Sequence, residues 1–160
     1  MFNFFKPFRV SSTELTDSTM FDEKTFFQKF INDLQGAKEE VIIESPFITI
    51  DRMKKFVPVL QDLVSKNILI YIITRYPQEH SNEFTFQAEE AIRWCENNGI
   101  QVLVCKGKHH RKLAIIDKKI VYEGSLNILS QLHSREIMRR IDDKSVTEET
   151  IKFFKFDAFL

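Results

Sequence analysis

Val41-Ile42-Ile43-Glu44-Ser45-Pro46 is a short apolar run closed by a proline, and its reading decides the architecture of the chain. The run is β-branched and too short for a helix, so it predicts a buried strand. Two similar runs follow, Ile68 to Thr74 and Ile100 to Cys105. Between the first two, Met53, Phe56, Val57, Leu60 and Leu63 recur at helical spacing from about Asp51 to Lys66. Pro58 falls inside that pattern and predicts a kink or break, because it donates no backbone hydrogen bond. Between the second and third runs, residues 83–98 carry another amphipathic pattern, stopped by Asn97-Asn98-Gly99. Strand, helix, strand, helix, strand is the signature of parallel strands joined by crossover helices.

Working outward, Phe21, Phe26, Phe27, Phe30, Ile31 and Leu34 predict a helix capped by Asp17 or Ser18 and stopped at Gly36. Residues 1–19 read as an N-terminal extension or loop. Downstream, Leu113–Ile116 and Lys119–Tyr122 predict a hairpin across Asp117-Lys118. A further strand is expected over Glu136–Ile141 and a closing helix over Val146–Phe154. The expected fold class is α/β: a mixed, largely parallel sheet flanked by helices, in a single domain spanning residues 1–160.

The 160 residues suffice for one core. Acidic and basic residues balance at 23 each, which excludes a histone-like coat of charge but allows a local basic patch. Cys95 and Cys105 have neither disulfide nor zinc spacing, so a reducing, cytoplasmic setting is expected. Phe residues cluster at both ends, Phe2, Phe4, Phe5 and Phe8 and then Phe153, Phe154, Phe156 and Phe159. They are expected to pack on the domain's own core or a partner subunit rather than on a membrane. The first ten residues are too short and too interrupted for a membrane span.

The chemistry lies in His110-Arg111-Lys112-Leu113-Ala114-Ile115-Ile116-Asp117 and the later Gly124-Ser125-Leu126-Asn127. His110 and Lys112 stand two apart at the start of a strand, so both side chains point the same way and can reach one ligand. An ammonium that neutralises phosphate beside an imidazole that attacks or moves a proton suits an anionic ester. Asp117, an odd number of residues away from both, turns to the other face and reads as a scaffold residue. His109 also turns away, towards solvent. Lys108 and Arg111, with Lys106, Lys118 and Lys119, suit a polyanion backbone. Arg135, Arg139 and Arg140 would be split between faces. Phe and Trp94 at helical spacing read as core.

These residues match H-x-K-x4-D-x6-G-S-x-N at every fixed position, and the stretch resembles the HKD motif of the phospholipase D superfamily. Six chance matches at about one in twenty each have odds on the order of 10⁻⁸ per starting point. The resemblance implies a phospholipase D-like half-domain. It implies His110 as a nucleophile forming a phosphohistidine, and Lys112 and Asn127 as phosphate-binding groups. Gly124 and Ser125 would support that pocket, Glu136 would orient the imidazole, and Asp117 would be structural. No metal or cofactor is implied. Only one motif copy is present where family enzymes use two, so a homodimer sharing one site is expected. The implied activity is metal-independent hydrolysis of DNA or RNA. The alternatives are a phospholipid or cardiolipin phosphodiesterase, and a nucleic-acid-binding module whose phosphate site is not catalytic.

Overall fold

The computed structural model describes residues 17–130 and 133–156. In chain order the elements are β1 (Asp17–Asp22), α1 (Phe26–Gln35), β2 (Glu40–Glu44), α2 (Ile50–Ser65) and β3 (Leu69–Arg75). A short 3₁₀ turn (Pro77–Glu79) leads to α3 (Asn82–Asn97), β4 (Gln101–Cys105), β5 (Leu113–Ile116), β6 (Ile120–Gly124), β7 (Ile137–Asp142) and α4 (Lys144–Phe154). The strands form one seven-stranded sheet in the order β1-β7-β6-β5-β2-β3-β4.

The sheet is mixed, but less parallel than expected. Parallel pairing is confined to β2 with β3 and β3 with β4, where α2 and α3 make the crossovers. The other four pairings are antiparallel. Short returns after Cys105 leave no room for further crossover helices.

The sheet separates two apolar layers. On one face Phe26, Phe30, Phe56, Leu60 and Leu63 of α1 and α2 pack on Val41, Ile43, Ile72, Ala114 and Ile116. On the other, Val146 and Ile151 of α4, with Phe156, cover Ile42, Ile73, Leu113, Ile115 and Val121. Successive strand residues therefore feed opposite layers, which explains the unbroken apolar runs of β2, β3 and β5. α2 continues through Pro58 without a break.

One expected boundary is corrected. Asp17 and Ser18 cap no helix; they begin an edge strand paired with β7, Met20 standing opposite Arg139. The helix starts only at Phe26, because the Asp22 carboxylate accepts the N–H groups of Lys24 and Thr25 and the Thr25 hydroxyl at 3.1, 2.9 and 2.7 Å. That local turn separates strand from helix. Phe26 and Phe30 are buried in the core, as is Phe156, whereas Phe84, Phe86 and Phe153 are exposed and Trp94 is half-buried. The expectations for Phe2, Phe4, Phe5, Phe8 and Phe159 lie outside the described residues.

Two carboxylates tie the layers together. Asp33 of α1 accepts Arg140 Nε at 2.6 Å, Lys29 Nζ at 2.8 Å and the Tyr122 hydroxyl, linking α1 to β6 and β7. Burial would raise the Asp33 pKa, but hydrogen bonds from Arg140, Lys29 and Tyr122 outweigh it and hold the carboxyl below its ordinary value. Asp117 occupies the β5–β6 hairpin turn, where it and Lys118 both have positive φ, 52° and 51°. Two such residues give the turn that matches strand twist. The Asp117 carboxylate accepts the N–H groups of Lys38, Glu39 and Glu40 at 2.9–3.2 Å, pinning the start of β2. Asp117→Ala should therefore cost about 2 kcal/mol of stability, read as a lower urea midpoint at unchanged slope. A loss within error of zero would show that water replaces the carboxylate.

Candidate active site

β2 ends at Glu44, and Ser45-Pro46 turns the chain away from the sheet. β5 consequently has no partner strand before Leu113, which stands opposite Glu44. Residues 108–112 form a lead-in without strand pairing rather than the strand start expected from sequence. The alternation continues through it all the same. His110 and Lys112 lie on one side, with the Lys112 ammonium 2.8 Å from His110 Nδ1 and 2.7 Å from the His110 carbonyl oxygen. His109 and Arg111 lie on the other.

That other side is not solvent. Glu44 is fully buried, and its Oε1 receives Arg111 Nε at 3.0 Å and Nη2 at 2.8 Å. His109 Nε2 lies 2.9 Å from the same oxygen with its side chain only 10% exposed, which corrects the expectation of an exposed His109. The Arg111 guanidinium also stacks on Phe154 at 4.4 Å. Arg111 borders the cleft, yet its charge is already paired, so its first role is to hold the lead-in. Lys108 adopts a positive φ of 59°, and its N–H donates to Glu79 at 2.8 Å.

His110, Lys112, Ser125, Asn127 and Glu136 line one open cleft of about 850 Å³, with Arg111, Gly124 and Arg139 at its walls. Gly124 is dictated by close approach: a Cβ there would meet the Ile137 carbonyl oxygen at 2.2 Å. The next residue seals the contact, since Ser125 N–H donates to Ile137 O at 2.9 Å and Ser125 Oγ accepts Ile137 N–H at 3.1 Å. Leu126, Ile128 and Leu129 are buried around Asn127 and anchor its loop. Ser45 Oγ accepts Leu129 N–H at 3.1 Å, joining this loop to the end of β2. Asn127 Oδ1 is buried and has no hydrogen-bond partner. Such atoms are rare in folded proteins, and Asn127 is among the residues that line the cleft.

Glu136 differs from the expected imidazole partner. Its carboxylate accepts the Ser134 hydroxyl at 2.9 Å, while the His110 ring turns to Lys112. It reaches the site through its field: burial lowers the Lys112 pKa and the Glu136 charge opposes that shift. The His110 pKa is lowered by burial, then by the charges of Lys112, Arg75 and His109. Arg139 points to the cleft from β7, whereas Arg140 is buried on Asp33 and Asp142. Arg135 lies at the adjoining cleft beside Glu136.

A family model described as cardiolipin synthase, PLD-like domain, matches residues 30–158. The chain belongs to the phospholipase D-like phosphodiesterase family. No curated protein matches it significantly. Among solved structures, this phospholipase D-like chain is similar to NucT from Helicobacter pylori at 21% identity and a TM-score of 0.69, covering 88% of this chain and 94% of that one. Nuc from Salmonella typhimurium, a phospholipase D family member, is 15% identical with a TM-score of 0.71, covering 88% and 93%. Phosphatidylserine synthase from Haemophilus influenzae is 14% identical with a TM-score of 0.63, covering 86% of this chain and 38% of that one. These likenesses establish the fold. No helix among the described residues is long and apolar enough to cross a membrane.

Sequence reasoning missed Glu44, because a lone carboxylate in an apolar strand carries no motif. Its signal was the charge itself, which an otherwise buried strand must pair. The pair is asymmetric: Glu44 is fully buried while the Arg111 side chain is 45% exposed. Arg111→Ala leaves a buried anion with His109 alone and should cost about 3 kcal/mol. Glu44→Gln leaves the Arg free to reach water and should cost about 1 kcal/mol. Urea denaturation of both variants checks this; the reverse order would contradict it.

Proposed function

We propose that the protein is a phosphodiesterase that hydrolyses a nucleic acid backbone through a phosphohistidine, in a site completed by a second copy of the chain. One observation carries the reading: an imidazole and an ammonium 2.8 Å apart share a cleft with an unpartnered Asn127 amide oxygen, the amide able to turn its donor to an anion. The HKD motif and the family support phosphodiester chemistry. NucT and Nuc share the fold over nearly their whole lengths, which supports a compact nuclease of one motif per chain.

In this mechanism Lys112 and Asn127 hold the non-bridging oxygens and offset the charge that gathers on them. A neutral His110 attacks phosphorus, forming a P–N bond as the bond to the leaving oxygen breaks. That oxygen takes its proton from the imidazolium of the second subunit's copy of His110. Water then attacks the phosphohistidine and gives its proton to the same partner imidazole. The P–N bond breaks and its electron pair returns to His110. Among the described residues His110 is the one imidazole lining the cleft, so two acid–base roles in it call for two chains meeting about a two-fold axis. Arg139 and Lys108 extend positive charge beside the cleft, which suits a polyanion. No base-reading motif is present, so little sequence preference is expected.

The pH dependence follows from the lowered His110 pKa. The nucleophile is active only when neutral, and a lowered pKa keeps it neutral further into acid. The acid limb of kcat/KM should thus fall below pH 6.5, the ordinary histidine value. An acid limb above that value would contradict the assignment. Labelled single- and double-stranded DNA and RNA should be offered in excess EDTA to wild type and to His110→Ala. Wild type should cleave at least one, and the variant should lose about three orders of magnitude or more. No cleavage of any of the four by dimeric protein would remove the nuclease reading and favour a lipid diester or a phosphate-binding role.

A further inference from the structure

A second cluster abuts His110, built from residues that do not line the cleft. Phe47, in the β2–α2 connection, meets the His110 ring at 6.3 Å and 90°. The Phe47 ring lies 4.7 Å from His80 and 6.1 Å from Phe84, and the Arg75 guanidinium sits 5.6 Å above its centroid. Arg75 ends β3, His80 follows the 3₁₀ turn, and Phe84 lies in the first turn of α3. The cluster therefore lies beyond the carboxyl ends of the parallel strands β2 and β3, where sheets of this type place ligands.

Two features separate it from ordinary core. Arg75 Nε and both ring nitrogens of His80 are buried with no hydrogen-bond partner. Glu79 forms an ion pair with Arg75 at 3.7 Å, too long for a hydrogen bond, and its oxygens accept the N–H groups of Gly107 and Lys108 at 2.8 Å each. Phe84, meanwhile, leaves 39% of its surface open at the cluster's edge. An open aromatic face backed by unused nitrogen donors fits a flat ring that carries acceptor atoms. A nucleobase has both, and its phosphate would lie toward Lys112.

We infer that Phe84, with Phe47, Arg75 and His80, forms a subsite for one unpaired nucleobase beside the phosphate at His110, which makes single-stranded polynucleotide the substrate class. This rests on the phosphodiesterase reading above and deepens it. In a duplex each base is stacked on both faces and its edge is paired, so neither the ring nor the donors would find it. In a single strand the base is free to turn out and stack, with little regard to its identity.

Binding isolates the subsite from turnover. In a His110→Ala background, fluorescence anisotropy would compare a labelled single-stranded oligonucleotide with the same strand made abasic at its centre, and with a duplex. The intact single strand should bind about tenfold more tightly than the abasic one. Phe84→Ala should erase that difference and Phe84→Trp should keep it, with dimer mass by light scattering unchanged in both. Equal binding of intact and abasic strands would overturn the inference, as would an equal loss on both with Phe84→Ala. A dimer split by Phe84→Ala would overturn it in favour of a contact between copies. If duplex binds as tightly as single strand while wild type cleaves it, the subsite falls and the nuclease reading stands. If wild type neither binds nor cleaves any nucleic acid, both fall.

Discussion

Leu113 stands opposite Glu44 in the antiparallel pairing of β5 with β2, and this register decides which side chains of the motif face substrate. Strand periodicity sends alternate residues to opposite faces, so one fixed pair propagates along the chain in both directions. Odd-numbered His109, Arg111 and Leu113 turn to the layer under α4, where buried Glu44 holds the first two. Even-numbered His110 and Lys112 turn the other way, continuing the side on which Ala114 and Ile116 enter the α1–α3 core. A slip of one residue would exchange His110 and Lys112 with His109 and Arg111 between the two faces. Glu44 makes that slip costly, because no apolar neighbour could satisfy a buried carboxylate.

Other constraints serve the same placement. Asp117 closes the hairpin after β5 and clamps the start of β2, fixing both ends of the paired segment. Gly124 lets β6 approach β7 closely enough for Ser125 to exchange two hydrogen bonds with Ile137. Asn127 is carried on the loop that follows, and Ser45 ties this loop back to β2. His110 and Lys112 thus come from the lead-in to β5, and Ser125, Asn127 and Glu136 from the connection between β6 and β7. This fold alone does not name a substrate, since the solved structures that share it include a synthase of a phospholipid.

Much of this was legible in the sequence, and the failures have physical causes. The apolar runs of β2, β3 and β4 and the helical spacing of α2 and α3 announced themselves, because buried strands and amphipathic helices differ in period. β1 did not. It is an exposed edge strand whose only half-buried residue, Phe21, also fitted the helical pattern of the phenylalanines that follow. Parity correctly sent His109 away from His110, but parity says only which face, not what covers it; Glu44 of another strand does. For the same reason Arg111 read as a surface cation although its charge is paired. Phe84 illustrates the converse: its helical spacing suggested core, and only the fold shows it open beside the site. Glu136 bonds Ser134, a local choice of a loop that no spacing rule anticipates.

The central claim is a double displacement at phosphorus by His110. It is tested most directly by the stereochemical course of hydrolysis, using a phosphorothioate oligonucleotide of defined configuration in oxygen-labelled water. Two successive in-line displacements invert twice, so the account predicts net retention of configuration. Net inversion would mean that water attacks in a single step, which would contradict the phosphohistidine and reduce His110 to a general base.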